Sequence, residues 1–262
     1  MMAILGLLGC RDAMYPKVSA PDREPAAEYE ALLAEVVTDE GLVDYDRLEE
    51  NRLPLDRYVA WLAGKNPLRG KATGDHHATW LNAYNALVLF QVLERGRPAS
   101  VRDVEGVLPF AGSGFFYETA FRVEDNWVSL GEIRDERLRM MELDLRDHAA
   151  MTCAARSCPP LRRELYRRAE LESQLRTQMR NWVGDEARGV RIEGKEAVFN
   201  PIFDWYARDF EFFSAGKDLC EISSNYVERS LAQELLDLSA RGCPHRFSDF
   251  DWSLNDASKG GG

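Results

Sequence analysis

Apolar residues recur along this chain at helical spacing far more often than in alternation. Over residues 26–37, Tyr29, Leu32, Leu33 and Val36 fall on one face, which predicts a helix. Residues 53–62 repeat the pattern through Leu55, Tyr58, Val59 and Leu62. A stretch over 64–74, with Pro67 and three glycines, then breaks the chain. Residues 78–93 are apolar on nearly every side, from Trp80, Leu81 and Tyr84 to Phe90, Val92 and Leu93, which marks a central helix. Asn82 and Asn85 stand out in it, three apart on one face. Buried amides find partners or cost about 1–3 kcal/mol each. Their plainest role is to tie down neighbouring loop backbone.

Further along, residues 115–128 alternate loosely around a hairpin turn at Glu124-Asp125-Asn126. Ser129 with Glu132 three residues on forms a capping-box pattern for a helix through 141. Residues 148–152 are a candidate short strand. Pro159 is expected to open a long amphipathic helix to about 183. A second hairpin is expected over 191–199, helices over 201–210 and 218–238, an extended piece over 247–252 and a disordered tail over 258–262. The fold class is α+β: a predominantly helical single domain over 26–257 with a small, mainly antiparallel sheet. A papain-like or transglutaminase-like arrangement is an analogy only.

Composition narrows the class. The chain has 262 residues, 45% of them hydrophobic, enough for one globular core. Its 44 acidic and 33 basic side chains leave a net charge of -11, which repels phosphate backbones and argues against nucleic acid as a partner. The longest basic cluster, 162–168, is interrupted by Glu164 in the pattern of a solvated helix face. No apolar run reaches the roughly eighteen residues that a membrane span needs.

The N-terminus differs. Residues 1–9 are almost wholly apolar, and Leu7-Leu8-Gly9-Cys10 looks like a bacterial lipobox, with Cys10 as the lipidated residue. No Lys or Arg precedes the run, so a misassigned start and a cytoplasmic protein are the alternative. Residues 11–25, with Pro16, Pro21 and Pro25, suit a polar tether. The expected location is the bacterial cell envelope, anchored through Cys10 and facing the periplasm. Four cysteines then remain, Cys153, Cys158, Cys220 and Cys243, which permit two disulfides in three connectivities or four free thiols.

Candidate chemistry concentrates in 148–160, where His148, Cys153, Arg156 and Cys158 fall within eleven residues. Cys158 is expected at or beside the N-cap of the helix opened by Pro159, where backbone N–H groups and the helix dipole favour a thiolate. The plainer reading is a capping or buried structural cysteine. His148 serves either sulfur only if the chain turns between them, and His77 is the competing base. The intervals of five match no standard zinc pattern, and no metal or cofactor is expected.

The same residues carry a resemblance. Ala78-Thr79-Trp80-Leu81-Asn82-Ala83-Tyr84-Asn85-Ala86-Leu87 is similar to the motif FWINAYNAL, and Ser129-Leu130-Gly131-Glu132-Ile133 with Leu138-Arg139 to SLxxIEH…LR. Residues 148–161 are similar to HFALxCASxxCPxL. Phe203-Asp204-Trp205-Tyr206 with Asp209-Phe210 is similar to FxWYxxDF, and Asp251-Trp252-Ser253-Leu254-Asn255 to YDWSLN. In this order the motifs resemble those of the family called domain of unknown function 547, in its bacterial branch. Two positions depart from it: Arg134-Asp135 stands for the Glu-His pair, and Ala149 for the phenylalanine after the histidine. If that missing histidine serves catalysis elsewhere in the family, this chain would be weakened or inactive.

The resemblance implies one shared pocket without naming a reaction. The first reading is a cysteine-dependent hydrolase or acyltransferase. Cys158 or Cys153 would be the nucleophile and His148 the base, with Asn82 or Asn85 as orienter or oxyanion donor. Tyr84, Arg156 and Trp80 are candidates for substrate binding. The alternatives are a non-catalytic envelope binding or scaffold domain with a Cys153–Cys158 disulfide, and a thiol-redox protein. Substrate, partner and oligomeric state are not legible. A core of Trp80, Leu81, Tyr84, Leu87 and Val88, covered by Trp205 and Trp252, completes the expectation.

Overall fold

The computed structural model describes residues 11–64, 73–124, 126–142 and 144–259. Cys10, Asp125, most of the break expected over 64–74 and the last residues of the expected tail lie outside them.

The chain opens with strand β1 (Asp12–Met14), inside the stretch expected to be a tether. Helix α1 (Ala26–Val36) buries the four residues its periodicity named. Helix α2 (Tyr45–Glu50) is capped by the Asp44 side chain, and α3 (Leu53–Leu62) starts with Pro54 in its first turn. Helix α4 (Thr73–Glu94) is the axis of the molecule. Leu81, Ala83, Leu87, Val88, Leu89 and Phe90 are fully buried there, with Trp80 and Tyr84 nearly so. Packed on it are α1 to α3 and strands β2 (Thr119–Val123) and β3 (Asn126–Val128), and these make the larger core. β2 pairs in parallel with β1 and antiparallel with β3. Ser129 and Glu132 close the expected capping box on α5 (Leu130–Glu132), which continues as wider, π-type turns over Ile133–Arg139.

The second half builds a smaller core. Helix α6 (Asp147–Ala150) leads to an irregular segment and then to α7 (Leu171–Val183). Strands β4 (Val190–Glu193) and β5 (Glu196–Phe199) form the expected hairpin, whose turn needs Gly194 at φ +63°. Helices α8 (Ile202–Trp205), α9 (Ala207–Phe213), α10 (Leu219–Ser224) and α11 (Arg229–Ser239) follow, and β6 (His245–Phe247) pairs in parallel with β5. Trp182, Phe199, Phe203 and Phe210 fill this core. The α+β class holds. The sheet is two three-stranded sheets, each with one parallel and one antiparallel pair. No helix of the described residues is long and apolar enough to cross a membrane.

Several expected elements differ, each for a local reason. Residues 148–152 are not a strand: they belong to α6 and the extended residues after it. The expected helix from Pro159 begins only at Leu171. Across 161–167 backbone N–H groups go to distant acceptors instead of to carbonyls four residues back. Leu161 donates to Gly41 O, Leu165 to Glu30 Oε1, Tyr166 to Asn82 Oδ1 and Arg167 to Gln174 Oε1. Gly41 sits at φ +74°, where a Cβ would lie 2.4 Å from Pro160 Cβ, so only glycine lets the two segments meet. The helix expected over 218–238 is two, because Asn225 Nδ2 takes the carbonyls of Glu221 and Ile222 and ends the first. Trp205 does not cover the core. It is 47% exposed and stacks with Trp252 and Phe250 near the surface, while Trp252 alone packs on the larger core.

Candidate functional site

The two asparagines of α4 set the geometry. Asn85 Nδ2 donates to Ala150 O at 2.9 Å, and Asn85 Oδ1 accepts from Thr152 N at 2.9 Å. Asn82 treats Tyr166 alike: its Nδ2 donates to the Tyr166 carbonyl at 2.9 Å and its Oδ1 accepts from the Tyr166 N–H at 2.8 Å. A carboxamide offers one acceptor and a donor pair, so each amide imitates a strand partner for otherwise unpaired backbone. Both therefore act as clamps on loop backbone.

Asn85 pins the end of α6 where the two cores meet: Ala149 belongs to the smaller core, Ala150 and Met151 to the larger. The neighbours Asp147 and His148 reach different partners from this seam. Asp147 Oδ1 meets His77 Nε2 at 2.7 Å, with Glu142 3.8 Å from the other ring nitrogen. His148 Nε2 lies 2.8 Å from Asp209 Oδ2, and its ring packs at a tilt against Tyr206 and Phe210.

The two pairs titrate in opposite directions. Burial pushes the Asp147 carboxyl up to about 6, against the pull of His77. Burial would lower the His77 ring, but Asp147, Glu142 and Asp144 hold it above its ordinary value. Burial lowers the His148 ring, and the Arg139 and Arg134 charges add to that. Burial would raise Asp209, yet bonds from His148 and Arg139 hold it well below the carboxylate range. The His148 ring is thus pushed toward its neutral form, and because an ionised Asp209 can only accept, the Nε2 that faces it is the nitrogen suited to carry the proton.

Around Asp209 the network widens. Arg139 grips it through Nε at 2.6 Å and Nη2 at 2.9 Å, and reaches Asp135 through Nη1 at 2.8 Å. Arg134 bonds Asp135 through Nε and Nη2, at 2.9 and 2.7 Å, and the Tyr117 hydroxyl through Nη2 at 2.5 Å. Its guanidinium lies over the Tyr117 and Tyr206 rings, and the Arg139 guanidinium lies over Tyr206. Burial raises the Tyr84 phenol, and Arg134 partly offsets this. Two arginines and two aspartates balance, so the cluster is neutral overall while rich in donors and acceptors. Four of the motifs noted in the sequence meet here: that of Tyr84, that of Arg134 to Arg139, that of His148, and that of Tyr206 and Asp209.

Among the described residues no hydrogen bond joins the cysteine sulfurs to this network. Cys153 and Cys158 are joined in a disulfide, with Cα atoms 5.7 Å apart, and Cys220 and Cys243 in a second, at 5.8 Å. Cys158 is buried and its Sγ accepts the Ala155 N–H at 3.0 Å. The expectation that it sits at a helix N-terminus is overturned, because the residues after it are not helical. Arg156 Nη2 donates to Asp256 O at 2.8 Å, fastening the C-terminal segment. Trp80 is buried beneath the Arg137 guanidinium. The structure thus brings His148 into the polar network, sets Tyr84 within electrostatic reach of Arg134, and uses Asn85 to support α6 while Asn82 supports Tyr166. Asp209, Arg139 and Asp147 were missed as site residues. Asp209 and Arg139 both stood in quoted motifs, whereas nothing marked Asp147 beyond its place beside His148.

Neither the comparison with curated proteins nor that with solved structures finds a match. Tyr206 and Asp209 lie outside the stretch that a known family covers. That stretch, residues 70–183, carries α4, the Arg134–Arg139 run, α6 and the first disulfide, and it matches the family described as "Protein of unknown function, DUF547".

Proposed function

We propose that this chain is a non-catalytic binding domain of the cell envelope, braced by two disulfides, with its ligand site at the neutral cluster around Arg134, Tyr206 and His148. The observation that carries the reading is the Cys153–Cys158 bond, which leaves neither candidate nucleophile as a thiol. Three further features support it. Both asparagines are committed to backbone, Cys158 lacks a helix dipole behind it, and the cluster meets the solvent edge through partly exposed tyrosines at 117 and 206. Two disulfides among four cysteines suit an oxidising compartment, in keeping with lipidation at Cys10.

A cysteine-dependent hydrolase or acyltransferase is the second reading. It draws on His148 and Asp209 as base and orienter and on the Ala155 N–H beside Cys158 Sγ, and it requires the pair reduced. Alkylation of the exported protein in denaturant without reductant, followed by peptide mass mapping, separates the two. The binding reading expects Cys153, Cys158, Cys220 and Cys243 all unmodified until reductant is added. A fast-alkylating Cys158 in the folded protein at neutral pH would overturn it and favour the hydrolase. Expression with the native leader should place the protein in the membrane fraction, and Cys10→Ala should release or stall it. Equal solubility of both forms would remove the anchor from the proposal.

A further inference from the structure

The run expected to be a solvated helix face is part of a cavity wall. Arg162 and Arg163 lie in the irregular segment before α7, and with Arg180 and Arg188 they line a cavity of about 620 Å³. That volume is in the range of small-molecule sites. Two of the four guanidinium groups are already committed: Arg188 to Asp185, and Arg163 to Asp39 and to Ala34 O. Of the other two, among the described residues, Arg162 is held by one exposed carboxylate and Arg180 by none. Arg180 is exposed on α7 and makes no ion pair among the described residues. Arg162 is only 13% exposed, its Nε is buried with no hydrogen-bond partner, and its one carboxylate, Glu164, is 61% exposed. A solvated carboxylate holds such an arginine weakly and yields it to a better-placed anion.

We infer that this cavity is a second binding site, separate from the Arg134 cluster, and that it takes a phosphorylated polyol such as a sugar phosphate. The unpaired guanidinium of Arg180 and the weakly held one of Arg162 match the charge and tetrahedral oxygens of a phosphate dianion better than they match one carboxylate. The cavity is far larger than phosphate alone needs, and its wall adds the polar groups of Thr38, Thr177, Gln178 and Asn181 beside Pro160 and Leu161. No aromatic ring lines it, so a sugar body fits and a stacked base does not. A chain of net charge -11, with Asp39, Glu40, Glu164 and Asp185 also lining this cavity, repels extended anionic surfaces more than a compact anion that two guanidinium groups can hold.

Isothermal titration of the full chain with glucose 6-phosphate, inorganic phosphate, glucose and phosphatidic acid vesicles tests this. Glucose 6-phosphate should saturate one site below about 1 mM, with glucose silent and inorganic phosphate at least tenfold weaker. Arg180→Ala should weaken the ester about tenfold or more without moving the unfolding midpoint, since Arg180 supports nothing else. Arg180→Lys should fall between, and Arg176→Ala, a paired arginine on the same helix, should leave binding unchanged. Arg162→Ala should act like Arg180→Ala if it folds. The inference is overturned by no saturable binding of the ester up to about 10 mM. It is equally overturned if Arg180→Ala binds normally, if inorganic phosphate binds as tightly as the ester, or if only vesicles bind.

Discussion

Two histidine–aspartate pairs are built on consecutive residues, and they behave in opposite ways. In the pair of His77 and Asp147 the carboxylate is the more deeply buried member, one of its oxygens has no partner, and both groups are pushed up. In the pair of His148 and Asp209 the ring is the buried member, the carboxylate is tied to a guanidinium, and both groups are pushed down. The hydrogen bonds differ by only 0.1 Å, 2.7 against 2.8 Å, so the contact itself does not set the sign. Burial sets it first, and the third partner decides between the two carboxylates. Arg139 supplies a fixed positive charge to Asp209, whereas the deeply buried Asp147 faces Glu142 and Asp144 and is neutralised by His77 and, more weakly, by Arg146.

Removing that third partner should make the second pair behave like the first. Arg139→Leu strips two bonds from Asp209 and one from Asp135 and leaves both aspartates undercompensated in a partly buried site. Breaking such a network costs about 3–5 kcal/mol, the largest effect expected here, read by urea unfolding. The same variant should raise the His148 ring pKa, followed by proton NMR of the imidazole. A His148 titration that stays where it was would show that burial alone sets its direction, and the comparison would lose its cause.

A smaller effect is expected from the support that the pairs share. Asn85 holds Ala150 and Thr152, directly after the two residues that supply the pairs. Asn85→Ala leaves a carbonyl and an N–H buried without partners, at a cost of about 1–3 kcal/mol. It should also loosen both pairs together, so that the His77 and His148 resonances broaden in parallel. Asn82→Ala should cost a similar amount but disturb Tyr166 and leave both histidines sharp. Identical histidine spectra in the two variants would mean that α6 is held by packing instead.

What was legible in the sequence follows from how local its cause is. The faces of α1, α3 and α4 and the Ser129–Glu132 box depend on residues within a turn or two of each other, and they appear as read. Residues 159–170 depend on Glu30, Asn82 and Gln174, whose side chains take the N–H groups that a helix would have used. No window of the sequence displays that competition. The amides of Asn82 and Asn85 were recognisable as needing partners, but not which partners. Seventy residues separate His77 from Asp147 and sixty-one separate His148 from Asp209, so neither pair has a local signature. The shared disulfide loop was visible as two close cysteines, while its oxidation state was one option among several.

The smallest effect isolates the first pair through pH. Asp147 is raised from 3.8 to about 6 and His77 is raised above 6.5, so the folded state holds protons that the unfolded chain has released. The stability that this pair contributes is therefore greatest at low pH and declines as pH rises from about 4 through neutrality. The second pair tilts the other way. A lowered His148 ring makes folding less favourable as pH falls below about 6.5, and a lowered Asp209 adds stability that is lost only in stronger acid. Between pH 5 and 7 the two tilts oppose each other, and the intact protein should show a shallow dependence. Asp147→Asn keeps the shape, removes the titrating carboxyl and takes from His77 the strongest of the charges that raise it. What remains is the tilt of His148, so stability should now climb with pH, by about 1 kcal/mol from pH 5 to 7. Urea unfolding at pH 5, 6 and 7 measures this directly. A variant whose pH dependence equals that of the parent protein would mean that Asp147 and His77 exchange no proton with folding, and that the opposition between the pairs is not felt by the fold.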